Sequence, residues 1–268
     1  YARQLALGEP YVYNPGDGAT SGATSFLYPY VLAVGYLLGF QGLNLGLWAM
    51  SIGALALLLS AWIVWRLARH FELSVPASLL LALAFVLSGP VSWHYLSGME
   101  TGLVVLLVLA TLYTVVREYF GGFVFAATLL ALSRPEASVM ALIAVGVVLL
   151  RDWRDVPRRR LLWLALPVLA VGVQPLMNLL LTGSLSATGN QAKSILGMVP
   201  FAWGVVIERI FDNFIRIWHE FFTDTGFVPV IVAPLALIGA VWLLLDRRRR
   251  FCGRAIFRVD LDGKGCVM

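Results

Sequence analysis

Charge is what this 268-residue chain has least of. Only 13% of its residues are charged, against about 25% in an ordinary soluble domain. With 60% hydrophobic residues and a mean hydropathy of +0.83, there is too little polar surface to cover a water-soluble globule. A soluble enzyme and a disordered tail are both excluded. Lysine is almost missing: Lys193 and Lys264 stand against 18 arginines. Cysteine is scarce too. Cys252 and Cys266 show no C-x-x-C spacing and no histidine nearby, which excludes a disulfide framework and argues against zinc. Cys266 is third from the end and misses the four-residue prenylation box. There is no solenoid or transporter repeat and no signal peptide. The opening 1–24 is polar and starts on Tyr1, so a preceding segment is expected.

What remains is long apolar sequence. A helix needs about 20 apolar residues to cross the hydrocarbon. Charge-free windows of that kind cover 44–65, 75–97, 101–116, 161–182 and 225–245. Two shorter ones, 119–133 and 137–150, flank Ser133-Arg134-Pro135-Glu136. They read either as half-spans meeting at a polar break or as full helices lengthened by their flanks. The piece 26–40 reads as an interfacial helix. In 201–222, Arg209, Asp212, Arg216 and Glu220 share one helical face, and Ile210, Phe214, Ile217, Trp218 and Phe221 share another. That pattern predicts a helix lying on a membrane surface.

The expected fold is therefore all-α: a polytopic transmembrane bundle of six or seven spans with interfacial helices. It forms one domain over 1–250, followed by a polar tail, 251–268, that is cytoplasmic or aberrant. The arginines lie between the apolar runs, at Arg66 and Arg69, Arg117, 151–160 and 247–250. The positive-inside rule puts all of them in the cytoplasm, and this pattern argues against nucleic acid as a partner. The opening loop, the 97–100 turn, the 134–136 break and the 183–224 loop then face outward together.

These outward segments hold the candidate site residues. Tyr13, Asn14 and Thr24 lie in the opening loop, where Asn-Pro-Gly-Asp is also turn chemistry. Glu100 stands where one apolar helix ends and the next begins. There it either favours a helix N-terminus or faces a cavity as a carboxylate able to hold a proton, a metal or a sugar hydroxyl. Arg134 sits at a membrane lip, where an arginine costs about 2.5 kcal/mol or more. Its fork suits a phosphate, or else an ion pair with Glu136 or Glu100. Lys193, near Asn190, is the only outward lysine, suited to anionic headgroups or a lipid-linked phosphate. His94, between Trp93 and Tyr95, reads as an interfacial hydrogen-bonder before it reads as a base.

Taken in order, Tyr13-Asn14-Pro15-Gly16, Thr24-Ser25-Phe26-Leu27, Gly98-Met99-Glu100-Thr101, Leu132-Ser133-Arg134-Pro135-Glu136 and Gly183…Asn190-Gln191-Ala192-Lys193 resemble the polytopic GT-C glycosyltransferases. That superfamily includes protein mannosyltransferases, aminoarabinose transferases and arabinofuranosyltransferases. The likeness covers most of residues 1–200. It implies a plasma-membrane enzyme that takes a sugar from a polyprenyl-phosphate donor and passes it, on the extracytoplasmic face, to a glycan, lipid or protein acceptor. It also implies that Glu100 is the second acidic position of the site. Arg134 and Lys193 would lie near the donor phosphate, and Tyr13, Asn14, Thr24, His94, Glu136 and Asn190 near substrate. The family's catalytic Asp or acidic pair would fall upstream of Tyr1, so the chain is expected to be a fragment without it. Ala137 and Ser186-Ala187-Thr188 depart from the family pattern. A divalent cation could bridge carboxylate and phosphate, but no ligand cluster argues for one. The rival reading is a multi-pass transporter or lipid flippase, which needs ionisable residues along a path through the bilayer.

Overall fold

The computed structural model describes residues 1–152, 158–185 and 202–219. The 225–245 window, Asn190, Lys193, both cysteines and the 251–268 tail lie outside the described residues. The chain divides into two compact units, Tyr1–Phe201 and Ala202–Met268. All the secondary structure among the described residues is helical.

The first unit opens with α1 (Ala2–Ala6), a loop, and α2 (Leu27–Leu37). Ser25 Oγ accepts the Tyr28 amide, 3.1 Å away, and so satisfies one otherwise unpaired N–H at the start of α2. At 11 residues, α2 is only about 17 Å long, too short to cross a membrane. The next helix, α3 (Asn44–His70), is 27 residues, about 40 Å. It outruns the charge-free window by taking in Arg66, Arg69 and His70. Cations in a last turn match the helix dipole, and Arg69 also donates to the Leu73 carbonyl.

The 75–97 window is not the single straight span that its length predicts. It forms α4 (Val75–Leu87) and α5 (Gly89–Leu96), bent by 59°. The cause is Ser88-Gly89-Pro90. Pro90 has no N–H for the carbonyl of Val86 four residues back, and the Ser92 hydroxyl donates to that carbonyl instead. Ser88 Oγ accepts the Val91 amide and starts α5 afresh.

Helices α6 (Thr101–Val116), α7 (Phe120–Ser133), α8 (Pro135–Asp152) and α9 (Arg158–Thr182) complete this unit. The helices α7 and α8 pair along their whole length. Close to the turn, Leu130 and Ala131 meet Ala137 and Ala141. Far from it, Phe123, Val124 and Ala127 meet Val145 and Val148. The two short windows therefore form a side-by-side helical hairpin, with α8 lengthened by its flanks to 18 residues, about 27 Å. Alanines at the contact let the backbones approach closely. Glycines play the same part where α3 and α6 meet α5. A Cβ on Gly53 would stand 1.9 Å from the Tyr95 carbonyl oxygen, and one on Gly102 would stand 3.0 Å from Tyr95 Cα.

Among the described residues two helices, α3 and residues 160–182 of α9, are long and apolar enough to cross a membrane. The bent α4–α5 pair makes a third if it is one span. Many of their leucines point outward, such as Leu58 at 62% exposed and Leu169 at 67%, a surface suited to lipid and not to water. In α6 and α7, buried or half-buried threonines are satisfied within their own helices. The hydroxyls of Thr111 and Thr128 donate to the carbonyls of Leu107 and Val124 one turn back. In the second unit, α10 (Trp203–His219) carries exposed Ile207, Ile210, Phe211 and Phe214. The helix occupies most of the amphipathic window.

Candidate functional site

The site begins at the α7–α8 turn. Pro135 removes the N–H that would have closed on the Ala131 carbonyl. Ser138 Oγ takes over that carbonyl at 2.9 Å, and Ser133 Oγ donates to the Leu130 carbonyl at 2.7 Å. With the helix ended cleanly, Arg134 adopts extended backbone, φ −156° and ψ 153°, and its side chain leaves the hairpin sideways.

That side chain meets two carboxylates. Arg134 Nη2 donates to Glu136 Oε1 at 3.3 Å, and its Nε lies 3.9 Å from Glu100 Oε1. Exposure separates the two partners. The Glu136 side chain is 71% exposed and Glu100 only 13%. A solvent-facing pair such as Arg134–Glu136 contributes about 0–1 kcal/mol, so the covered Glu100 is what anchors the guanidinium. At 3.9 Å that contact is an ion pair and not a hydrogen bond. Arg134 Nε is buried and has no hydrogen-bond acceptor among the described residues.

Glu100 occupies the N-cap position of α6, yet its side chain makes no capping hydrogen bond. Instead it accepts the Thr24 hydroxyl at 3.3 Å. Thr24 is held in turn by α9, where Gln174 Nε2 donates to its carbonyl at 3.1 Å. A second tie runs in parallel: Tyr28 Oη donates to the Gly98 carbonyl at 2.7 Å, and Gly98 sits at φ +75°, a turn conformation open to glycine. Burial first, and the neighbouring Glu100 carboxylate second, push the Tyr28 phenol up to about 12. It therefore stays a donor at every physiological pH. Residues 24–28, 98–100, 134–136 and 174 thus converge at one end of the first unit.

The other site residues expected from sequence stand apart. Tyr13 is 61% exposed, with its ring 5.3 Å from that of Tyr1. Asn14 Nδ2 donates to Asp17 Oδ2 at 2.8 Å, and the Asp17 amide returns to the Asn14 carbonyl. Of the opening loop, Thr24 alone among the three candidates reaches Glu100. His94 is exposed, and its carbonyl accepts the Ser97 hydroxyl. Its neighbour Tyr95 is the buried member of the cluster, hydrogen-bonded to Ser60 Oγ at 2.7 Å. Lys193 and Asn190 are outside the described residues.

Beside the Thr24–Gln174 contact lies a small cavity of about 30 Å³. It is lined by Tyr1, Tyr11, Ser25, Phe26, Tyr30 and Gln174, among others. Its size suits ordered water and not a sugar ring. Among the described residues no group of three His, Cys, Asp or Glu side chains is placed to hold a metal ion. Both nearby carboxylates already face Arg134, so these residues do not fit a divalent cation. Sequence reasoning missed Gln174 and Tyr28. Gln174 did carry a signal, as an amide inside a charge-free window. No protein-family profile, curated protein or solved structure matches the chain.

Proposed function

We propose that the chain is a membrane glycosyltransferase. In this reading it moves a sugar from a polyprenyl-phosphate donor to a glycan, lipid or protein acceptor on the extracytoplasmic face. The reading includes a plasma-membrane bundle of six or seven spans, to which α2 and the amphipathic α10 are added as interfacial helices. The observation that carries it is the partly exposed Arg134 guanidinium, held 3.9 Å from the covered Glu100 carboxylate at the end of an apolar hairpin. A guanidinium anchored on one edge and with donor capacity to spare suits a phosphate arriving from the lipid.

The chemistry follows from the leaving group. Transfer breaks the bond between the sugar's anomeric carbon and the donor phosphate oxygen, and forms one to an acceptor hydroxyl oxygen. Arg134, helped by Lys193, stabilises the departing phosphate. The acceptor proton passes to the Glu100 carboxylate, the covered acidic group of the site. A single displacement with inversion suits a site that offers no second nucleophile. The gathering of ionisable groups at the helix ends, and not along a path through the apolar helices among the described residues, favours an enzyme over a transporter.

The test is sugar transfer from a radiolabelled polyprenyl-phosphate sugar by the purified chain in liposomes. Arg134→Gln and Glu100→Gln are each expected to lower turnover by 10²-fold or more, the scale of a lost charge-stabilising group. Unchanged turnover in both variants, or movement of the labelled lipid across the bilayer without transfer, contradicts the reading.

A further inference from the structure

A second feature lies at the far end of α7, about 21 Å from Arg134 along that 14-residue helix. There α7 and α9 leave an open groove of about 400 Å³. Its walls include Phe120, Val124, Phe125, Thr128, Trp163 and Leu166, and its size lies within the range of ligand-binding clefts. The walls are nearly all apolar: the Thr128 hydroxyl is committed to the Val124 carbonyl at 2.7 Å, which leaves the Trp163 indole N–H as the side-chain donor among the lining residues. Phe125 and Trp163 remain 68% and 57% exposed. The groove stays open at Gly121, where an added Cβ would meet only Tyr119 Cε2, at 3.9 Å.

The mouth of this groove is positive. Arg160 lies over the Phe120 ring, 5.3 Å from its centroid. Arg158, Arg159 and Arg160 open α9, and its first turn holds no acidic residue. A helix N-terminus is the positive end of its dipole, so the exposed Arg160 there adds to a positive field. On the neighbouring helix, Arg151 is occupied by Glu118 at 3.6 Å and by the Val115 carbonyl. The Glu118 carboxylate is thus directed to Arg151.

We propose that this groove binds one acyl chain of an anionic phospholipid, with the lipid phosphate against Arg160 at the first turn of α9. An apolar channel with a basic mouth between membrane helices suits such a lipid. A zwitterionic lipid could fill the channel but would bring no net negative charge to Arg160. The site is separate from the Glu100–Arg134 cluster and does not depend on the transferase reading.

The test uses the purified full chain in detergent. It is titrated with phosphatidylglycerol carrying brominated acyl chains, and separately with phosphatidylcholine carrying the same chains. The signal is the part of the tryptophan quenching that Trp163→Phe removes. Phosphatidylglycerol is expected to reach half-quenching at about fivefold lower concentration, the attraction of one arginine for an anionic lipid. Arg160→Gln should erase that preference. Gly121→Leu, which fills the groove and leaves every arginine in place, should weaken quenching by both lipids while helicity is unchanged. Equal quenching of Trp163 by the two lipids in the unmodified chain overturns the proposal. So does quenching that Gly121→Leu leaves intact.

Discussion

Single side chains decide how the outer loop is tied down. Tyr28 and Thr24 each reach across more than 60 residues of sequence, to Gly98 and Glu100 respectively. The Tyr28 tie has a pH signature. Its phenol is raised from 10.0 to about 12 in the folded chain, so the folded state keeps a proton that the unfolded state gives up. Stability from this group is complete below pH 10 and falls as pH rises from 10 towards 12. Tyr11 is raised as well, by burial first and by Tyr30 second, and adds to the same alkaline loss. Tyr28→Phe is expected to lose about 1 kcal/mol at neutral pH and to show a shallower fall between pH 10 and 12. Thermal midpoints across that range check both effects.

At the scale of helices, two prolines and two glycines shape the unit. Pro90 and Pro135 each strand a carbonyl, of Val86 and of Ala131, and a serine hydroxyl recovers each one. The first break bends a window that charge counting reads as straight, because such counting measures length and ignores a missing N–H. The sequence Ser-Gly-Pro carried the signal. The identity of the buried aromatic did not lie in the local sequence. Tyr95, and not His94, points inward because Gly53 and Gly102 leave room for it, and those residues come from other helices. Gly53→Ala would put a methyl 1.9 Å from the Tyr95 carbonyl oxygen. It is expected to destabilise the chain by about 2 kcal/mol through overpacking, read as a lower thermal midpoint in detergent.

At the scale of the whole molecule, the ion pairs among the described residues of the first unit sort by end. Glu100, Arg134 and Thr24 gather at one end of α6 and α7, while Arg151, Glu118 and Arg160 meet at the other. The membrane character and the Glu100–Arg134 encounter were legible in the sequence, because a charge in an apolar background is conspicuous. Tyr28 was not singled out, because a phenol looks ordinary until a partner is known, and Gln174 was passed over although an amide in a charge-free window is a signal. If the two ends face opposite sides of a membrane, cysteines placed there respond differently. In a chain with Cys252 and Cys266 replaced by serine, Met99→Cys should react with an impermeant maleimide on intact cells. Tyr119→Cys should react only after permeabilisation. Labelling of both positions from outside would contradict the arrangement.

The most direct measurement is binding of a polyprenyl phosphate and of the matching uncharged polyprenol to the purified chain. The phosphate is expected to bind at least tenfold more tightly, about 1.4 kcal/mol, and Arg134→Gln should reduce it to the affinity of the alcohol. Equal affinity for the two lipids, or a preference for phosphate that survives Arg134→Gln, would contradict a phosphate-gripping role for this site.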